Sequence, residues 1–410
     1  MQDKLITKKN IMKRILLLLG LVFTFAACGE NQKSEEKAEV EEPTETSEQD
    51  SDNPLPEEQP EAVSPETEYE HEVIAENMSI PWGFDFLPDG SILATEKGGD
   101  IYHFKDGKRV AITGGPEIYN QGQGGLLDIA LHPDFENNNW VYITYSSEEG
   151  EDEGGNTALM RAKLENNELT NREDLYKAEP NTTKGQHFGS RIVFDKDGHL
   201  FFSIGDRGNH DANPQDLTRD GGKIYRLNLD GSIPSDNPFV GEENAKEAVY
   251  SYGHRNPQGM IFNEETGEVW VNEHGPKGGD EINIIKAGKN YGWPVVTYGE
   301  NYDGTTITEE RSGPDFQNPL TYWDPSIAPS GFEKVTSDKY PELNGNLLVG
   351  ALKFQYLEHV AIEDGKVTKR EKLLEGLGRL RDVQQGPDGF IYAAVEGTGI
   401  VKILPLEETE

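Results

Sequence analysis

The sequence predicts an all-β fold, a six-bladed β-propeller, on three observations. Asp-Gly or an equivalent turn recurs before short runs of alternating apolar residues, which is the strongest short signal for a β-hairpin. Six such turn-and-strand units are present, and each is expected to build one four-stranded blade. No segment shows a sustained helical period with caps, so an α/β fold is not expected.

The six units are similar but not identical. Three begin with a clear Asp-Gly turn and three with a variant of it. A β-sandwich also alternates in this way, but it would not readily explain six similar units in one chain. In chain order, the units are Leu87–Thr95, His132–Thr144, Phe194–Ser203, Glu265–Val271, Leu343–Val349 and Gly386–Ala394.

Composition and charge exclude one class of partner. The chain has 410 residues and a formal net charge of −37 at pH 7. A nucleic-acid partner is not expected, because phosphate binding needs clustered Lys and Arg. The length fits either two ordinary domains or one large all-β domain, and the repeated units favour the second.

The N-terminus carries the features of an export signal. A basic stretch precedes the apolar run Ile15–Ala27, which is too short to cross a bilayer as a helix. The run leads into Phe25–Gly29, which resembles the lipobox of bacterial lipoproteins, where the cysteine is lipidated. We expect residues 1–28 to be a lipoprotein signal peptide ending at lipidated Cys28; the alternative is an ordinary signal peptide with an incidental cysteine. The chain has one cysteine, so no internal disulfide is expected.

An acidic segment separates this signal from the predicted propeller. Residues 29–72 are rich in Asp and Glu and have little to bury, so they are predicted to form a disordered tether. The propeller is expected over residues 73–406. Together these features predict a protein of the cell envelope that touches a membrane through its N-terminal lipid alone.

Dense polar motifs follow the predicted strands, where propeller loops line the central channel. The chain also carries four cations in such loops: Arg255, Lys353, Arg379 and Arg381. Four cations in a chain this acidic suggest a buried polyanionic ligand, because the planar fork of Arg suits a carboxylate. The simpler interpretation is that each cation pairs with one of the many acidic residues. The motifs are Gln121–Leu127, Lys184–Arg191, Ile204–Gly208, Gly253–Gly259 and Glu273–Asn283.

Taken in order, these motifs resemble those of the soluble quinoprotein glucose dehydrogenases. They are more similar still to the aldose sugar dehydrogenases of bacterial envelopes that use pyrroloquinoline quinone (PQQ). The likeness covers roughly residues 80–405 and includes Tyr225–Pro234, Gly253–Gly259 and Asn290–Pro294. The resemblance implies oxidation of aldose sugars at C1 to the lactone, with PQQ and calcium as cofactors and an external electron acceptor that the sequence does not identify.

The resemblance also implies which residues are catalytic. His187 would take the proton of the anomeric hydroxyl as a hydride leaves C1 for the quinone, and the ordinary imidazole pKa of about 6.5 suits this role. Asp206 matches the family position that orients this histidine. Arg255 would stabilise the negative charge that develops on the quinone oxygens.

The other expected site residues follow from the same resemblance. Gly275 and Pro276 match residues whose backbone carbonyls bind the catalytic calcium. Glu281 and Tyr291 match a second calcium position. The expected cofactor-binding residues are Gln123, His187, Arg255, Asn256, Lys353, Arg379 and Arg381.

The chain departs from the family pattern at two positions. Asp211 stands where the family has a glutamine near the cofactor, and Gln186 stands where glucose-specific members carry Asp. The role of Asp211 and the preferred sugar are therefore open. Residues 298–331 lack the long insertion of the glucose dehydrogenases, which favours a monomer.

Two rival functions remain at this stage. One is a calcium-dependent hydrolase of the lactonase type, which would need acidic and Asn ligands in the channel rather than cations. The other is a non-catalytic binding propeller, which has no need to retain His187 together with Arg255 and Arg381.

Overall fold

The computed structural model describes residues 59–406, so the predicted signal peptide, Cys28 and most of the predicted tether lie outside the described residues. All strands in the described range belong to six sheets, which confirms the predicted six-bladed β-propeller. One short helix, α1 (Phe135–Asn138), is present there. Within this range no helix is long and apolar enough to cross a membrane.

The strands are short and follow one another closely along the chain. They are β1 (Ala62–Val63), β2 (Tyr69–Glu76), β3 (Pro81–Phe86), β4 (Ile92–Glu96), β5 (Ile101–Lys105), β6 (Lys108–Ile112), β7 (Leu126–Leu131), β8 (Trp140–Ser147), β9 (Asn156–Glu165), β10 (Glu168–Lys177), β11 (Ile192–Phe194), β12 (His199–Ile204), β13 (Lys223–Asn228), β14 (Val249–Tyr252), β15 (Pro257–Asn263), β16 (Glu268–Glu273), β17 (Asp280–Ile285), β18 (Thr321–Trp323), β19 (Pro329–Lys334), β20 (Leu347–Ala351), β21 (Leu357–Glu363), β22 (Lys366–Leu373), β23 (Leu380–Gln385), β24 (Ile391–Val395) and β25 (Gly399–Pro405).

The blades form a closed ring. Their inner strands are β3, β7, β11, β15, β19 and β23, and each contacts the inner strand of the next blade. One blade is built from both ends of the described chain, because β2 pairs with β25 from Tyr69 opposite Pro405 to Glu76 opposite Gly399. This pairing joins the first blade to the last and leaves no open end to the ring.

The predicted start of the propeller at residue 73 is too late. Ala62–Val63 pair in parallel with β22 as an added edge strand, and Tyr69–Glu72 already belong to β2. Strand β2 is the outermost of its blade and exposes most of its side chains. An exposed outer strand tolerates acidic residues, so its composition resembles that of a tether.

The six repeated sequence units each supply the second strand of one blade, namely β4, β8, β12, β16, β20 and β24. These strands are almost wholly buried. Both of their faces pack against neighbouring blades, which explains why they carry nearly continuous apolar runs. One buried cluster, for example, combines Leu93 of the first blade with Val141 and Met160 of the second.

A short polar side chain in four of these second strands ties its blade to the next. Each donates a hydrogen bond to a carbonyl at or just before the next inner strand, which satisfies a buried backbone group. In the fifth blade the inner-strand residue Ser330 makes the corresponding bond to Leu380 O (2.6 Å). The four donor–acceptor pairs are Thr95–Leu127, Thr144–Ser190 (2.7 Å), Ser203–Pro257 (3.2 Å) and Asn272–Ser330 (2.7 Å).

At the axis, the buried Arg191 joins four blades. Its Nη1 lies 2.8 Å from Asp128 Oδ1 and 3.1 Å from Asp382 Oδ2. Its Nε donates to Gln258 O (3.1 Å), and its Nη2 donates to Arg381 O (3.0 Å). Because both carboxylates are also buried, the ions depend on one another for charge compensation.

Two glycines of the inner strands make room for these carboxylates. A Cβ on Gly83 would lie 2.2 Å from Asp128 Oδ1, and a Cβ on Gly331 would lie 2.3 Å from Asp382 Oδ1. The space lets the carboxylates reach further blades as well, since Asp382 Oδ2 also accepts a hydrogen bond from Phe84 N (3.3 Å).

We expect Arg191→Leu to lower the free energy of unfolding by about 3–5 kcal/mol, because it leaves two buried carboxylates without their cation. Denaturant unfolding followed by tryptophan fluorescence measures the effect. The control Lys105→Met removes an exposed ion pair with Asp89 (2.6 Å) and should leave the unfolding midpoint unchanged. Equal stability of Arg191→Leu and the wild type would contradict a structural role of the axial ions.

Candidate active site

The loops at one end of the channel bring four of the predicted site residues together around one cavity, which Lys353, Arg379 and Arg381 do not line. In an antiparallel blade, the loop before the inner strand and the loop between the second and third strands lie at the same end. His187 and Arg255 come from loops of the first kind, and Asp206 and Pro276 come from loops of the second. All four line one cavity of about 400 Å³.

His187 and Asp206 form a buried pair. His187 Nδ1 lies 2.6 Å from Asp206 Oδ1, which also accepts a hydrogen bond from Gly208 N (2.6 Å). The second oxygen, Oδ2, accepts a hydrogen bond from the indole Nε1 of Trp293 (2.9 Å). Because a carboxylate accepts the Nδ1 proton, the neutral imidazole carries its lone pair on Nε2.

The surroundings of this pair keep the imidazole neutral and the carboxylate charged. Burial lowers the pKa of His187 below its ordinary value, and the nearby charge of Arg255 lowers it further, while the bond to Asp206 acts in the opposite direction. Burial opposes ionisation of Asp206, but its bond to His187, with the charge of Arg255, holds the pKa of Asp206 below its usual value. The arrangement is that of a general base with its orienting carboxylate.

The loop that carries His187 is fixed by contacts to three neighbouring segments. His187 has a φ of +55°, in the left-handed region, and its N–H donates to Gln123 Oε1 (2.7 Å). Asn256 Oδ1 accepts a hydrogen bond from Gly189 N (3.2 Å). A Cβ on Gly205 would lie 2.5 Å from His187 O, so only glycine permits this close approach. Gln123 and Asn256 thus position the base.

Arg207 also fixes the loop that carries His187. It is fully buried, and its guanidinium lies 3.3 Å from the ring centroid of Phe188. Burial lowers the pKa of Arg207 to about 9. Three backbone carbonyls accept its hydrogen bonds: Gln186 O, Lys184 O (3.0 Å) and Gly155 O (3.1 Å).

Arg255 presents hydrogen-bonding capacity that the protein does not satisfy. Its Nη1 donates to His274 O (3.2 Å) and its guanidinium lies 5.4 Å from the ring centroid of Trp293, whereas its buried Nε has no partner among the described residues. Its backbone is held at both ends, since its N–H donates to Glu273 Oε2 (2.6 Å) and its carbonyl accepts from Asp206 N (2.7 Å). The residue is suited to bind an oxygen acceptor in the cavity.

The remaining predicted cations share few acidic partners. Arg379 Nε and Arg381 Nε lie 2.8 and 2.6 Å from the two oxygens of the same carboxylate, Glu396. Lys353 Nζ donates to a backbone carbonyl (3.0 Å). Burial lowers the pKa of Lys97, and the charge of the nearby Arg381 lowers it further. The simpler interpretation, in which each cation pairs with its own acidic residue, therefore does not hold for Arg379 and Arg381, because both pair with Glu396.

His274 lies within the electrostatic reach of both groups of cations. Burial lowers the pKa of His274 to about 3, and the charges of Arg255, His187 and Arg381 contribute. Its Nε2 donates to Pro329 O (2.7 Å), which fixes the neutral tautomer. Arg255 and Arg381, one from each group of cations, therefore both lower the pKa of His274 at this end of the channel.

The two residues predicted to bind the catalytic calcium, Gly275 and Pro276, lie in the turn between β16 and β17. Gly275 N donates to Asp280 Oδ1 (2.8 Å), and Pro276 lines the cavity that His187 also lines. Across the described part of the chain, no group of three His, Cys, Asp or Glu side chains is placed to hold a metal ion. A metal at this turn would accordingly rely on backbone carbonyls.

A second, smaller cavity of about 20 Å³ lies beside the first and is lined by Glu273, Glu281, Gly275 and Tyr291. Burial and the neighbouring Glu273 carboxylate raise the pKa of Glu281 to about 8. Asn283 donates to both carboxylates at 3.1 Å, while its Oδ1 is buried without a partner. These oxygens suit a hard cation. The Tyr291 hydroxyl itself donates to a backbone carbonyl (2.6 Å).

The outer wall of the larger cavity contains the departures from the family pattern. Asp211 lines it and lies 2.8 Å from His210 Nδ1, with its side chain largely exposed. The segment 298–331 contributes Asn301, Tyr302, Thr306 and Ile307 to the wall. The short segment therefore still shapes the entrance.

Comparison with known proteins identifies the family. The family model described as glucose/sorbosone dehydrogenase matches residues 78–402. The chain belongs to this family. As a member of the glucose/sorbosone dehydrogenases it is an oxidoreductase, which confirms the predicted enzyme class.

Individual dehydrogenases are similar over most of the chain. The aldose sugar dehydrogenase YliI of Escherichia coli (strain K12) is 40% identical over 344 residues, which span 82% of this chain and 92% of YliI. The apo crystal structure of soluble aldose sugar dehydrogenase from E. coli superposes with a TM-score of 0.80 at 38% identity, covering 82% and 100% of the two chains. The PQQ-bound aldose sugar dehydrogenase of Streptomyces coelicolor superposes with a TM-score of 0.67 at 26% identity, covering 83% and 99%.

Four residues of this dehydrogenase site received no role from the sequence: Arg207, Glu273, His274 and Trp293. All four stand inside motifs that the sequence singles out, namely Ile204–Gly208, Glu273–Asn283 and Asn290–Pro294. A large side chain within a Gly-rich polar loop was the available signal. The partners of these four residues lie on other segments of the chain, and some lie in other blades, so their identity depends on the folded ring.

In the cofactor-free dehydrogenase, we expect Asp206→Asn to lower the pKa of His187 further, because the attraction to the imidazolium is lost while burial and Arg255 remain. Histidine NMR titration, assigned with His187→Gln, measures the change. Asp195→Asn, which removes the separate contact with His199 (2.8 Å), is the control and should leave His187 unaffected. A higher pKa in Asp206→Asn would contradict the assignment.

The same shift has a consequence for stability. The folded pKa of His187 lies below the unfolded value of about 6.5, so the native state binds fewer protons than the unfolded state. This contribution to stability is fully present above pH 6.5 and is lost as the pH falls from there through the folded pKa.

Proposed function

We propose that the protein oxidises the anomeric carbon of an aldose sugar to the lactone, using PQQ and calcium, and passes the electrons to an external acceptor. The observation that carries this proposal is the cavity in which a neutral, carboxylate-oriented His187 meets the unsatisfied Arg255. Membership of the dehydrogenase family and the similarity to a PQQ-bound enzyme support it.

The cations at the channel end fit PQQ, which carries three carboxylates. Arg379 and Arg381 share Glu396, and Lys353 is held by a carbonyl, so positive charge remains in excess of negative charge. Charge-assisted bonds from these three residues would hold the carboxylates of PQQ. Bound there, PQQ would supply a quinone that accepts a hydride.

His187 and Arg255 would perform the remaining chemistry. His187 Nε2 would take the proton of the anomeric hydroxyl while the C1 hydride departs. Asp206 would hold the Nδ1 proton and stabilise the imidazolium that forms, as its bond to His187 allows. The Arg255 guanidinium would bind the oxygen on which negative charge develops.

Calcium fits two places in the site. Carbonyls of Gly275 and Pro276 would hold the ion beside the catalytic cavity, where it supplies Lewis-acid polarisation. A second ion at the small cavity would be held by Glu281 and Tyr291, beside the Glu273 carboxylate that lines the same cavity.

The rival functions fit this site less well. A lactonase-type hydrolase would need acidic ligands that face the substrate, whereas the two acidic residues that line the main cavity, Asp206 and Asp211, each pair with a histidine. A binding propeller without catalysis gives no reason for a buried His187–Asp206 pair with three donors on one carboxylate.

We also propose that the protein is anchored in the cell envelope by lipid on Cys28 and works as a monomer. The support is the lipobox-like sequence at residues 25–29 and the short segment 298–331. Cys28→Ser should release the protein from the membrane fraction or leave an unprocessed precursor, as fractionation and mass spectrometry would show. Normal retention of that variant would rule out this anchor.

The function is tested by reconstitution. Purified protein with PQQ and calcium should reduce an artificial acceptor when an aldose is added, and the lactone should appear as product. Chelation should abolish turnover, and calcium with PQQ should restore it, because the metal is expected at the quinone site. Failure of every aldose tested with fully PQQ-loaded protein would overturn the proposal.

Chemistry and cofactor binding should separate by mutation. His187→Ala should lower kcat by about 10²- to 10⁴-fold with PQQ still bound, because the base is removed. Arg381→Ala should weaken PQQ affinity by about one to two decades, and saturating PQQ should recover much of the rate. Arg172→Ala, which breaks a surface pair with Asp174 (2.7 Å), is the matched arginine control.

Kinetics at several PQQ concentrations distinguish these effects. A His187 variant rescued by excess PQQ would contradict the assignment of the base. An Arg381 variant that binds PQQ normally but is inert would contradict the assignment of the cofactor contact.

A further inference from the structure

We propose that Trp293 is a positioning residue for sugar oxidation: its indole N–H fixes the Asp206 carboxylate so that the other oxygen faces His187. The kinetic part of this inference rests on the proposed function, whereas the hydrogen-bond chain can be tested without cofactor or substrate.

The geometry gives Asp206 a single orientation. Oδ2 accepts from Trp293 Nε1 (2.9 Å), while Oδ1 meets His187 Nδ1 (2.6 Å) and Gly208 N (2.6 Å). The carboxylate is 1% exposed, so water cannot replace a lost partner readily. Without the indole N–H, Oδ2 would lose the only side-chain donor that the structure gives it among the described residues, so the carboxylate would keep its contact with His187 but lose its fixed orientation.

Trp293 is itself held rigidly, which a positioning residue requires. Its backbone N–H donates to Gly253 O (2.9 Å), and its backbone carbonyl accepts from Gln215 Nε2 (2.8 Å). Its ring lies between the Arg255 guanidinium (5.4 Å) and the His210 ring (5.9 Å). The residue follows β17 of the fourth blade and Asp206 follows β12 of the third, so the bond links two blades across the site.

The chain contains a matched control. Trp323 is also buried, and its Nε1 donates to the buried carboxylate of Glu358 (2.8 Å) outside the catalytic cavity. Trp→Phe at either position removes one indole N–H from one buried carboxylate. Loss of stability should therefore be similar in the two variants, and only the Trp293 variant should change His187.

The expected change in His187 has a defined sign. The charged groups that face His187 are Asp206, Arg255 and Arg207, with neutral His274 nearby, and the substitution alters none of them. Loss of the indole donor leaves more negative charge on Asp206 for its bond to His187. The pKa of His187 should rise by about 0.5–1 unit in Trp293→Phe.

The first experiment is histidine NMR titration of the cofactor-free protein. The pKa of His187 should rise in Trp293→Phe and remain unchanged in Trp323→Phe. If Trp293→Phe fails to fold, benzothienylalanine at position 293, which keeps the ring shape but lacks the N–H, provides the same test. An unchanged His187 pKa at position 293, or an equal shift in Trp323→Phe, would overturn the inference.

The second experiment is kinetic. In PQQ-loaded protein, Trp293→Phe should lower kcat about tenfold and move the acid limb of the pH–rate profile to higher pH. The PQQ affinity and the KM for the sugar should remain unchanged. A change in KM or PQQ affinity alone would show that Trp293 binds ligand rather than positions the base. Absence of activity in the wild type would count against the proposed function, and the NMR result would still decide the role of Trp293.

Discussion

The contact of Arg191 with Asp128 and Asp382 at the axis is the interaction on which the rest of the structure depends. Six inner strands converge there, and the buried guanidinium binds groups from three blades besides its own. The loop that carries His187 ends directly before Arg191. Arg191 Nη2 donates to the backbone carbonyl of Arg381. One buried ion set therefore fixes the proposed base and a proposed cofactor ligand relative to each other.

The same principle operates further out in the ring, where bonds between blades serve both stability and function. Thr144 of the second blade binds the carbonyl of Ser190, three residues after His187. Arg255 binds Asp206 through its carbonyl and Glu273 through its N–H, so neighbouring blades share one chain of hydrogen bonds. The candidate site is therefore built from the same hydrogen bonds that hold neighbouring blades together.

Sequence was sufficient for those features that local interactions determine. Turn chemistry and alternation located the second strand of all six blades, because both signals are confined to a few consecutive residues. The first half of the outer strand β2, Tyr69–Glu72, was assigned to the tether, since the pairing of β2 with β25 spans almost the whole described chain. Motif resemblance pointed to His187 and Asp206, which the structure brings into contact, but the role proposed for Trp293 depends on a carboxylate 87 residues away in sequence, which no local pattern encodes.

The distribution of charge explains how one site can recruit an anion and keep its base neutral. The chain as a whole is strongly acidic, whereas Arg255, Lys353, Arg379 and Arg381 would give one end of the channel a locally positive potential. Arg255 contributes to that potential and, by the same charge, lowers the pKa of His187. An anion bound among these cations would offset that lowering and make the imidazole more basic. Under the proposed function, His187 would therefore become a stronger base when the anionic ligand is in place, so that proton abstraction and hydride acceptance would become available together.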